Sequence, residues 1–387
     1  MRKKELWSTF RGNNNFPVYN WFYFTEAYSR GLVREVILKN PVKSKEPILY
    51  DPFCGTGTSL LVGREFNFQT YGTDISYLMY LVSKGKCLNF NVNKLQELLP
   101  KILEIKKESI TLNKEYQWIK KYFHNENLQQ ILKIKENIEG IKEKEKFFFY
   151  VCLLRTAEIV SKARKQGSDL RIRKIPLIDA IKKFQKIFDS FLKEYCKFNK
   201  KNPCEKEPEI LCENCLTFYK THTELFDYII CSPPYLNKTE YTKRFGIELA
   251  ILGKETILQG HIGHIKYSVK ENKDWIYTKQ FAKELAQIKK EDYKHEEYDA
   301  NEYFKQLEIF VGESIKHLHK NGVLAIVIAG GVIGNTIFDI YDYMQDLYIN
   351  NKLDIVDIKI NREITCNLHR TTNMGQIKEF TIVGRKE

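Results

Sequence analysis

Two short turns in this sequence carry residue types suited to binding a cofactor and a planar substrate. The first is DPFCGTGT, residues 51–58, which follows an apolar run in EPILYDPF. Gly55 and Gly57 let the backbone turn sharply and approach a ligand with no Cβ in the way. A helix is predicted to follow in TSLLVGREFN, with Thr58 or Ser59 as its cap and its free N–H groups directed at the same place.

An acidic residue follows the first turn where a ribose-binding group is expected. Asp74 lies near the end of QTYGTDIS, a predicted second strand, and a carboxylate there can accept hydrogen bonds from both hydroxyls of a ribose. The strand, glycine turn, helix, strand and acid together predict a pocket for an adenosine-containing cofactor. The first turn lacks the third glycine of dinucleotide-binding loops and the lysine of P-loops, which argues against NAD and ATP.

The second turn, CSPPY at residues 231–235, follows the apolar run FDYII. Two consecutive prolines remove two backbone donors and leave carbonyl oxygens as acceptors at the carboxyl end of a predicted central strand. The hydroxyl of Ser232 and the carbonyl of Pro233 could hold an exocyclic amine while the ring of Tyr235 stacks on the substrate. The turn therefore predicts a site for a planar substrate that bears an NH2 group.

The elements that must position these turns are those of a doubly wound α/β sheet. Residues 91–200 have helical periodicity and predict an inserted, mostly helical subdomain between a first half (1–90) and a last part (201–387). Strand texture returns in PEILCENCLTF (208–218) and GVLAIVIAGGVIG (322–334), and LDIVDIKINRE and IKEFTIVGRK predict an antiparallel pair closing the sheet. A polar insertion or loop is predicted near 253–301.

The charge of the chain favours a polyanionic partner. The 62 Lys and Arg against 49 Asp and Glu give a formal charge of +13, and residues 91–200 hold 25 basic and 14 acidic side chains, a net of +11. Within them the tract around KARKQGSDLRIRK reads either as a solvated helix face plus a loop or as a clamp for DNA phosphates with one or two base-reading arginines. The basic residues of that clamp are Arg155, Lys162, Arg164, Lys165, Arg171, Arg173 and Lys174.

The start of the chain, its apolar runs and its cysteines predict where in the cell the protein is found. The start, MRKKELWSTFRGNNNF, has no signal-peptide stretch, and no run approaches the roughly 20 apolar residues of a membrane span, so a cytoplasmic protein without a membrane partner is expected. Nine scattered cysteines fit reduced thiols. Cys212 and Cys215 form a CxxC, but no second CxxC follows, so packing is favoured over zinc and no metal is assigned.

The motifs resemble those of a known family. DPFCGTGT and SPPY resemble motifs I and IV of the S-adenosylmethionine-dependent amino-group DNA methyltransferases, and the Ser form of motif IV is typical of those acting on cytosine N4. FPVYNWFYFTEAYSRGLVREVI (16–37) is similar to motif X, which packs against the methionine end of the cofactor. The order is motif X, motif I, a recognition insert and motif IV, and the specific likeness covers residues 16–75 and 210–253.

The resemblance implies a Rossmann-like class I methyltransferase sheet and roles for particular residues. Ser232, Pro233, Pro234 and Tyr235 would form the catalytic turn, with Asp74 on the ribose and Asn214 near the adenine. The cofactor-binding residues it implies are Asp51, Phe53, Cys54, Gly55, Gly57, Thr58, Asp74, Ile75 and Asn214. The methyl group would pass directly to an amine, with the base flipped out of duplex DNA and stacked on Tyr235.

Three alternatives to a cytosine N4 enzyme stay open. The first is an adenine N6 DNA methyltransferase, although those enzymes more often carry Asp or Asn at the position of Ser232. The second is an RNA guanine N2 methyltransferase, some of which carry a similar first turn. The third is a non-catalytic nucleic-acid-binding scaffold. A cognate restriction endonuclease is expected as a functional partner from the resemblance alone.

Overall fold

The computed structural model describes residues 8–104, 114–166, 169–236, 244–254, 262–263, 279, 281–289, 292, 299–368 and 372–387. Its main feature is a seven-stranded sheet. Its strands are, in chain order, β1 Ile48–Asp51, β2 Gln69–Thr73, β5 Glu209–Leu211, β6 Phe226–Cys231, β7 Leu318–Ala329, β10 Leu353–Leu368 and β11 Thr372–Lys386. Two short ribbons complete the set of described strands, β3 Ala163–Gln166 with β4 Asp169–Ile172, and β8 Gly331–Ile333 with β9 Thr336–Phe338.

The strand order is β10, β11, β7, β6, β1, β2, β5. The pairs from β7 through β6, β1 and β2 to β5 are parallel, and β11 runs antiparallel to both β7 and β10. This order, with its one antiparallel strand, is a Rossmann-like methyltransferase sheet and confirms the predicted fold class. The predicted antiparallel pair at the end of the chain is confirmed as β10 and β11.

Helices surround the sheet and form most of the insert. The helices of the first half are α1 Arg30–Lys39, α2 Thr58–Glu65 and α3 Tyr77–Cys87. Those of the insert are α4 Val92–Leu103, α5 Lys114–Gln117, α6 Asn125–Glu139, α7 Lys146–Val160 and α8 Ala180–Lys201. Those of the last part are α9 Cys215–Thr221, α10 Gly246–Ile251, α11 Ala282–Ala286, α12 Ala300–Lys316 and α13 Tyr341–Asn350.

Alternation along the central strands separates two hydrophobic cores. In β1, Leu49 belongs to the core that includes α1, α2, α3 and the insert helices, while its neighbour Tyr50 belongs to the core that includes α9, α12 and α13. Successive residues of a strand point to opposite faces, so a sheet buried on both faces needs a continuous apolar run. The sheet is therefore a rigid middle layer whose strand ends are held between two helical layers.

Two local predictions are wrong, and one of two open alternatives is removed. Thr58 or Ser59 was expected to cap α2. The N-cap residue is instead Gly57, which has a left-handed backbone conformation and no side chain to form a capping hydrogen bond. PEILCENCLTF is a strand only over Glu209–Leu211, because Asn214 accepts a hydrogen bond from the backbone N–H of Leu216 and starts α9. The tract around KARKQGSDLRIRK is the β3–β4 hairpin, which replaces the alternative of a helix face plus a loop.

The insertion predicted near 253–301 lies largely outside the described residues. In the described part of the chain, no helix is long and apolar enough to cross a membrane.

Candidate active site

The two turns meet at one cavity of about 410 Å3 at the carboxyl ends of β1, β2 and β6. In an open α/β sheet this edge is where ligands bind, because β1 is flanked there by strands whose connections leave in opposite directions. Of the residues singled out in the sequence, those lining the cavity are Asp51, Phe53, Cys54, Gly55, Thr58, Asp74, Ile75, Asn214, Ser232, Pro233, Pro234 and Tyr235. Gly57 is absent from its lining.

The carboxylate of Asp74 ties the first turn to the end of β2. One oxygen accepts a hydrogen bond from the backbone N–H of Gly55 at 2.9 Å, and the other accepts from the N–H of Ser76 at 2.8 Å. Enclosure by the surrounding protein raises the pKa of Asp74 to about 6, although these two N–H groups act in the opposite direction. A carboxylate has about four acceptor sites, so two remain for a ligand in the cavity.

Gly57 serves the turn through its conformation. Its φ is +77°, and a Cβ built on it would lie 2.7 Å from the sulfur of Cys87 and 3.4 Å from the Cβ of Ser83. Glycine is the residue that adopts this conformation at little cost and leaves room for α3 to pack this closely. Gly57 therefore shapes the turn, while Gly55, with a φ of +50°, is the glycine at the cavity wall.

Tyr28 was not singled out in the sequence, yet it joins the amino-terminal segment to the site. Its buried hydroxyl donates to Asp51 at 2.8 Å, lies 2.5 Å from the hydroxyl of Ser59 and is 3.3 Å from the carbonyl of Ile230 in β6. Burial raises the pKa of Asp51 to about 7, and the hydrogen bonds from Tyr28 and Ser59 oppose that rise. In the sequence, only the high aromatic content of residues 16–37 pointed to the segment that contains Tyr28.

Lys86 is a second residue that sequence reasoning missed. It lies on α3 with 1% of its surface exposed, and its ammonium donates to the carbonyls of Thr56 at 2.8 Å and Tyr19 at 3.1 Å. Burial lowers the pKa of Lys86 to about 8. The side chain thus links α3 to the glycine turn through the carbonyl of Thr56. No periodicity reveals it, since a lysine is normally a surface residue.

The second turn is held by side chains from three distant elements. The hydroxyl of Tyr303 on α12 donates to the carbonyl of Pro234 at 3.1 Å. The hydroxyl of Tyr235 donates to the carboxylate of Glu379 on β11 at 3.3 Å, and Arg362 on β10 donates to the same carboxylate oxygen. Arg362 and Glu379 also line the cavity and were not singled out in the sequence. The second turn is therefore tied by hydrogen bonds to α12 and β11, and through Glu379 to β10.

The cavity carries unpaired polar groups that suit a polar ligand. Within the described residues, no hydrogen-bond partner is found for the buried hydroxyl of Thr58 or for one carboxylate oxygen each of Glu213 and Glu379. All three residues line the cavity, and buried polar atoms in native proteins are normally paired. Asn214 uses its side-chain oxygen to cap α9 at 2.8 Å. These acceptor groups fit an adenosine-containing cofactor with a ribose and an ammonium group, as S-adenosylmethionine has.

The basic residues of the hairpin differ in exposure. Arg164 and Arg171 face each other across β3 and β4, and both are exposed, as are Arg173 and Lys174. Lys165 instead pairs with Glu248, which is 4% exposed, and its ammonium lies 4.2 Å from the ring centre of Phe245 at the cavity wall.

Four of the seven basic side chains predicted to bind DNA lie outside the β3–β4 strands, and two of them, Arg173 and Lys174, directly follow β4. Arg155 pairs with Glu158 on its own helix, and Lys162 directly precedes β3. The hairpin thus extends from the cavity wall to an exposed pair of arginines.

The cysteines and potential metal ligands have simple surroundings. Cys215 is buried at the start of α9 and Cys212 is exposed, and all nine cysteines are free thiols. Among the residues that the structure describes, no group of three or more His, Cys, Asp or Glu side chains could hold a metal ion.

Comparison with known proteins places the chain near Type II methyltransferases. It is 26% identical over 278 residues to Type II methyltransferase M.BsoBI of Geobacillus stearothermophilus, a match that covers 63% of this chain and 54% of the relative. It is 32% identical over 145 residues to Type II methyltransferase M.MvaI of Kocuria varians, covering 34% of this chain and 32% of the relative. No family model matches the chain.

A solved SAM-dependent methyltransferase from Methanosarcina mazei aligns over 90% of this chain and 96% of its own, with 8% identity and a TM-score of 0.32. A likeness at that level carries no inference, and the fold rests on the strand order itself. The chain spans about half the length of M.BsoBI. What the comparisons supply is a similarity to Type II methyltransferases, on a sheet of Rossmann-like methyltransferase topology.

Proposed function

We propose that this chain is a DNA methyltransferase that moves a methyl group from S-adenosylmethionine to the exocyclic N4 of a flipped cytosine in duplex DNA, as the modification partner of a restriction endonuclease. The observation that carries the proposal is the meeting of the glycine turn and the SPPY turn at one cavity. A site for an activated methyl donor and a site for an amine must share one cavity for direct transfer.

The cofactor is S-adenosylmethionine, whose sulfonium supplies an activated methyl group when it is bound. Gly55 allows the backbone to approach it, and Asp74 accepts hydrogen bonds from its ribose through the acceptor sites that the two backbone N–H groups leave open. The unpaired groups of Thr58 and Glu213 provide further polar contacts. Asn214, the N-cap residue of α9, stands beside the adenine.

The target amine is held by Ser232 and Pro233. The carbonyl of Pro234 already accepts a hydrogen bond from Tyr303, so the neighbouring carbonyl of Pro233 is the acceptor assigned to the substrate. Hydrogen bonds from the amine to these two oxygens favour a more tetrahedral nitrogen and stabilise the charge that develops on it. Tyr235, fixed at its hydroxyl by Glu379, presents its ring to the flipped base.

The β3–β4 hairpin provides the contact with DNA phosphates. Arg164 and Arg171 are like charges placed directly opposite on neighbouring strands, an arrangement that is unfavourable until an anion lies between them. Exposed guanidinium groups of this kind pair with phosphate oxygens and can also read guanine in the major groove. The contact between Lys165 and Phe245 joins this hairpin to the cavity wall.

Two observations support DNA and cytosine over the alternatives. The curated proteins that the chain resembles are Type II methyltransferases, which favours DNA over RNA. Ser232 occupies the position where adenine enzymes more often carry Asp or Asn, which favours cytosine. The intact glycine turn, Asp74 and SPPY turn favour an active enzyme over a non-catalytic scaffold.

The test is to incubate the protein with tritiated S-adenosylmethionine and unmethylated plasmid DNA, then separate the labelled nucleosides. Label in N4-methylcytosine is expected. Label in N6-methyladenine would retain the transfer and change the base, and label found in transfer RNA but not in DNA would identify an RNA enzyme. No label and no cofactor binding by calorimetry would identify a non-catalytic scaffold.

A pair of variants tests the role of the second turn. Ser232→Ala should lower kcat by about 100-fold, the scale seen when one preorganised hydrogen-bonding group is removed from an active site. The matched control is Ser44→Ala, at an exposed position whose hydroxyl accepts a hydrogen bond from the N–H of Glu46 at 3.3 Å. Equal activities of the two variants would contradict the role of Ser232.

A further inference from the structure

Glu379 is buried beside the second turn, and all of the hydrogen bonds that its carboxylate accepts within the described residues go to one oxygen. Its Oε2 atom accepts from the Nε of Arg362 at 3.1 Å, from the Nη2 of Arg362 at 2.6 Å and from the hydroxyl of Tyr235 at 3.3 Å. Its Oε1 atom has no partner within the described residues, although the side chain is only 1% exposed. The residue lines the cavity that contains Ser232.

An unpaired carboxylate oxygen away from water is costly, so its retention calls for a ligand. Glu379 has little freedom to turn this oxygen elsewhere. Its backbone is paired on one side with Ala329 of β7 and on the other with Arg362 of β10, and two donors of Arg362 hold its Oε2 atom. The unpaired oxygen therefore belongs to a side chain that is held in place beside Tyr235 and lines the cavity.

We propose that Oε1 of Glu379 accepts a hydrogen bond from the exocyclic amine of the target base and so selects amino bases over keto bases. This inference rests on the proposed function. The N4 of cytosine and the N6 of adenine are donors, whereas O4 of thymine and O6 of guanine are acceptors. An acceptor placed against a carboxylate oxygen is repelled, so Glu379 admits the first two bases and rejects the other two.

The arrangement also accounts for both hydrogens of the amine. One is held by Glu379 and the other by Ser232 and the carbonyl of Pro233, from different elements of the fold. Glu379 is thus a specificity-determining residue that touches the substrate.

The experiment uses Glu379→Gln, which reverses the polarity of the free position. Three donors from Arg362 and Tyr235 face one side of residue 379, so the glutamine carbonyl turns to them and its NH2 group takes the place of Oε1. Binding is measured with duplexes whose target base is intact or lacks only the amine, 2-pyrimidinone for cytosine and purine for adenine. Removing the amine should cost wild type about 10-fold more affinity than it costs E379Q, because Ser232 and Pro233 still hold the amine in the variant.

Two further measurements separate the proposal from its rivals. Tyr235→Phe keeps the stacking ring and removes the hydroxyl that Glu379 holds. If this variant lost the discrimination as fully as E379Q, Glu379 would act only by positioning Tyr235, and the proposal would be overturned. A loss of about 10-fold or more in S-adenosylmethionine affinity of E379Q, measured by calorimetry without DNA, would assign Oε1 to the cofactor and also overturn it.

The proposed function and this inference fail differently. A wild-type protein that transfers no methyl group to DNA removes both. If the wild type methylates DNA but distinguishes the intact base from the base without its amine no better than E379Q does, the proposed function stands and only the role of Glu379 is refuted. Retained cofactor binding by E379Q shows that the variant is folded.

Discussion

The buried ammonium of Lys86 should make the stability of the protein rise with pH in the alkaline range. Burial lowers the pKa of Lys86 to about 8 in the folded chain, whereas an unfolded chain has a lysine pKa of about 10.4. Below pH 8 both states are protonated, and the folded state carries the whole cost of burying the charge. Between these two pKa values the unfolded state binds more protons, so the free energy of unfolding increases with pH.

The magnitude follows from the difference of roughly 2.4 pKa units, which corresponds to about 3 kcal/mol at neutral pH. Lys86→Met keeps the apolar stem and removes the titration. It also leaves the carbonyls of Thr56 and Tyr19 without their donor, at a cost of about 1–3 kcal/mol each that does not depend on pH. Between pH 7 and pH 10, the free energy of unfolding of the wild type should therefore rise by about 2.5 kcal/mol relative to that of the variant.

The assay is urea unfolding of wild type and Lys86→Met at several pH values from 7 to 10, with the same substitution at the exposed Lys101 as the control. Other groups that titrate in this range cancel in the difference between proteins. The Lys101 variant should stay within about 0.5 kcal/mol of wild type. A Lys86→Met difference that is the same at every pH would refute the argument, because it would mean that the buried ammonium has an ordinary pKa.

Three further outcomes are expected. Gly57→Ala should lower the free energy of unfolding in urea by about 2–5 kcal/mol, because residue 57 has a positive φ and the new Cβ would lie 2.7 Å from the sulfur of Cys87. The control is Gly140→Ala, whose Cβ would lie 3.4 Å from its nearest atom. That variant should change the free energy of unfolding by less than about 1 kcal/mol. Arg164→Ala combined with Arg171→Ala should lower the slope of log affinity for DNA against log salt by about 2, and an unchanged slope would remove the phosphate contacts. Cofactor affinity measured by calorimetry should fall as pH drops below about 6, because burial raises the pKa of Asp74 to about 6 and the protonated acid is a poorer acceptor, and a wild-type profile in Asp74→Asn would contradict that.

Local patterns were sufficient where one segment determines its own structure. The apolar runs around Tyr50 and Ile229 are strands because each side chain is buried on one face or the other, and glycines follow the first strand where the backbone must turn. The same patterns were misleading in PEILCENCLTF, where Asn214 caps a helix inside an apolar stretch. They also missed the paired strands at residues 163–166 and 169–172, which are too short to show periodicity.

The sheet class, the glycine turn, the SPPY turn and the excess of basic charge in the insert could be predicted without a structure, because each depends on residues that are neighbours in the chain. Tertiary structure decided which distant groups complete the site. Tyr28 reaches Asp51, Lys86 reaches Thr56 and Glu379 reaches Tyr235 only because the strands are ordered as they are. A buried lysine and a buried glutamate have no pattern of their own, since their burial is stabilised by partners that only the folded chain brings within hydrogen-bond distance.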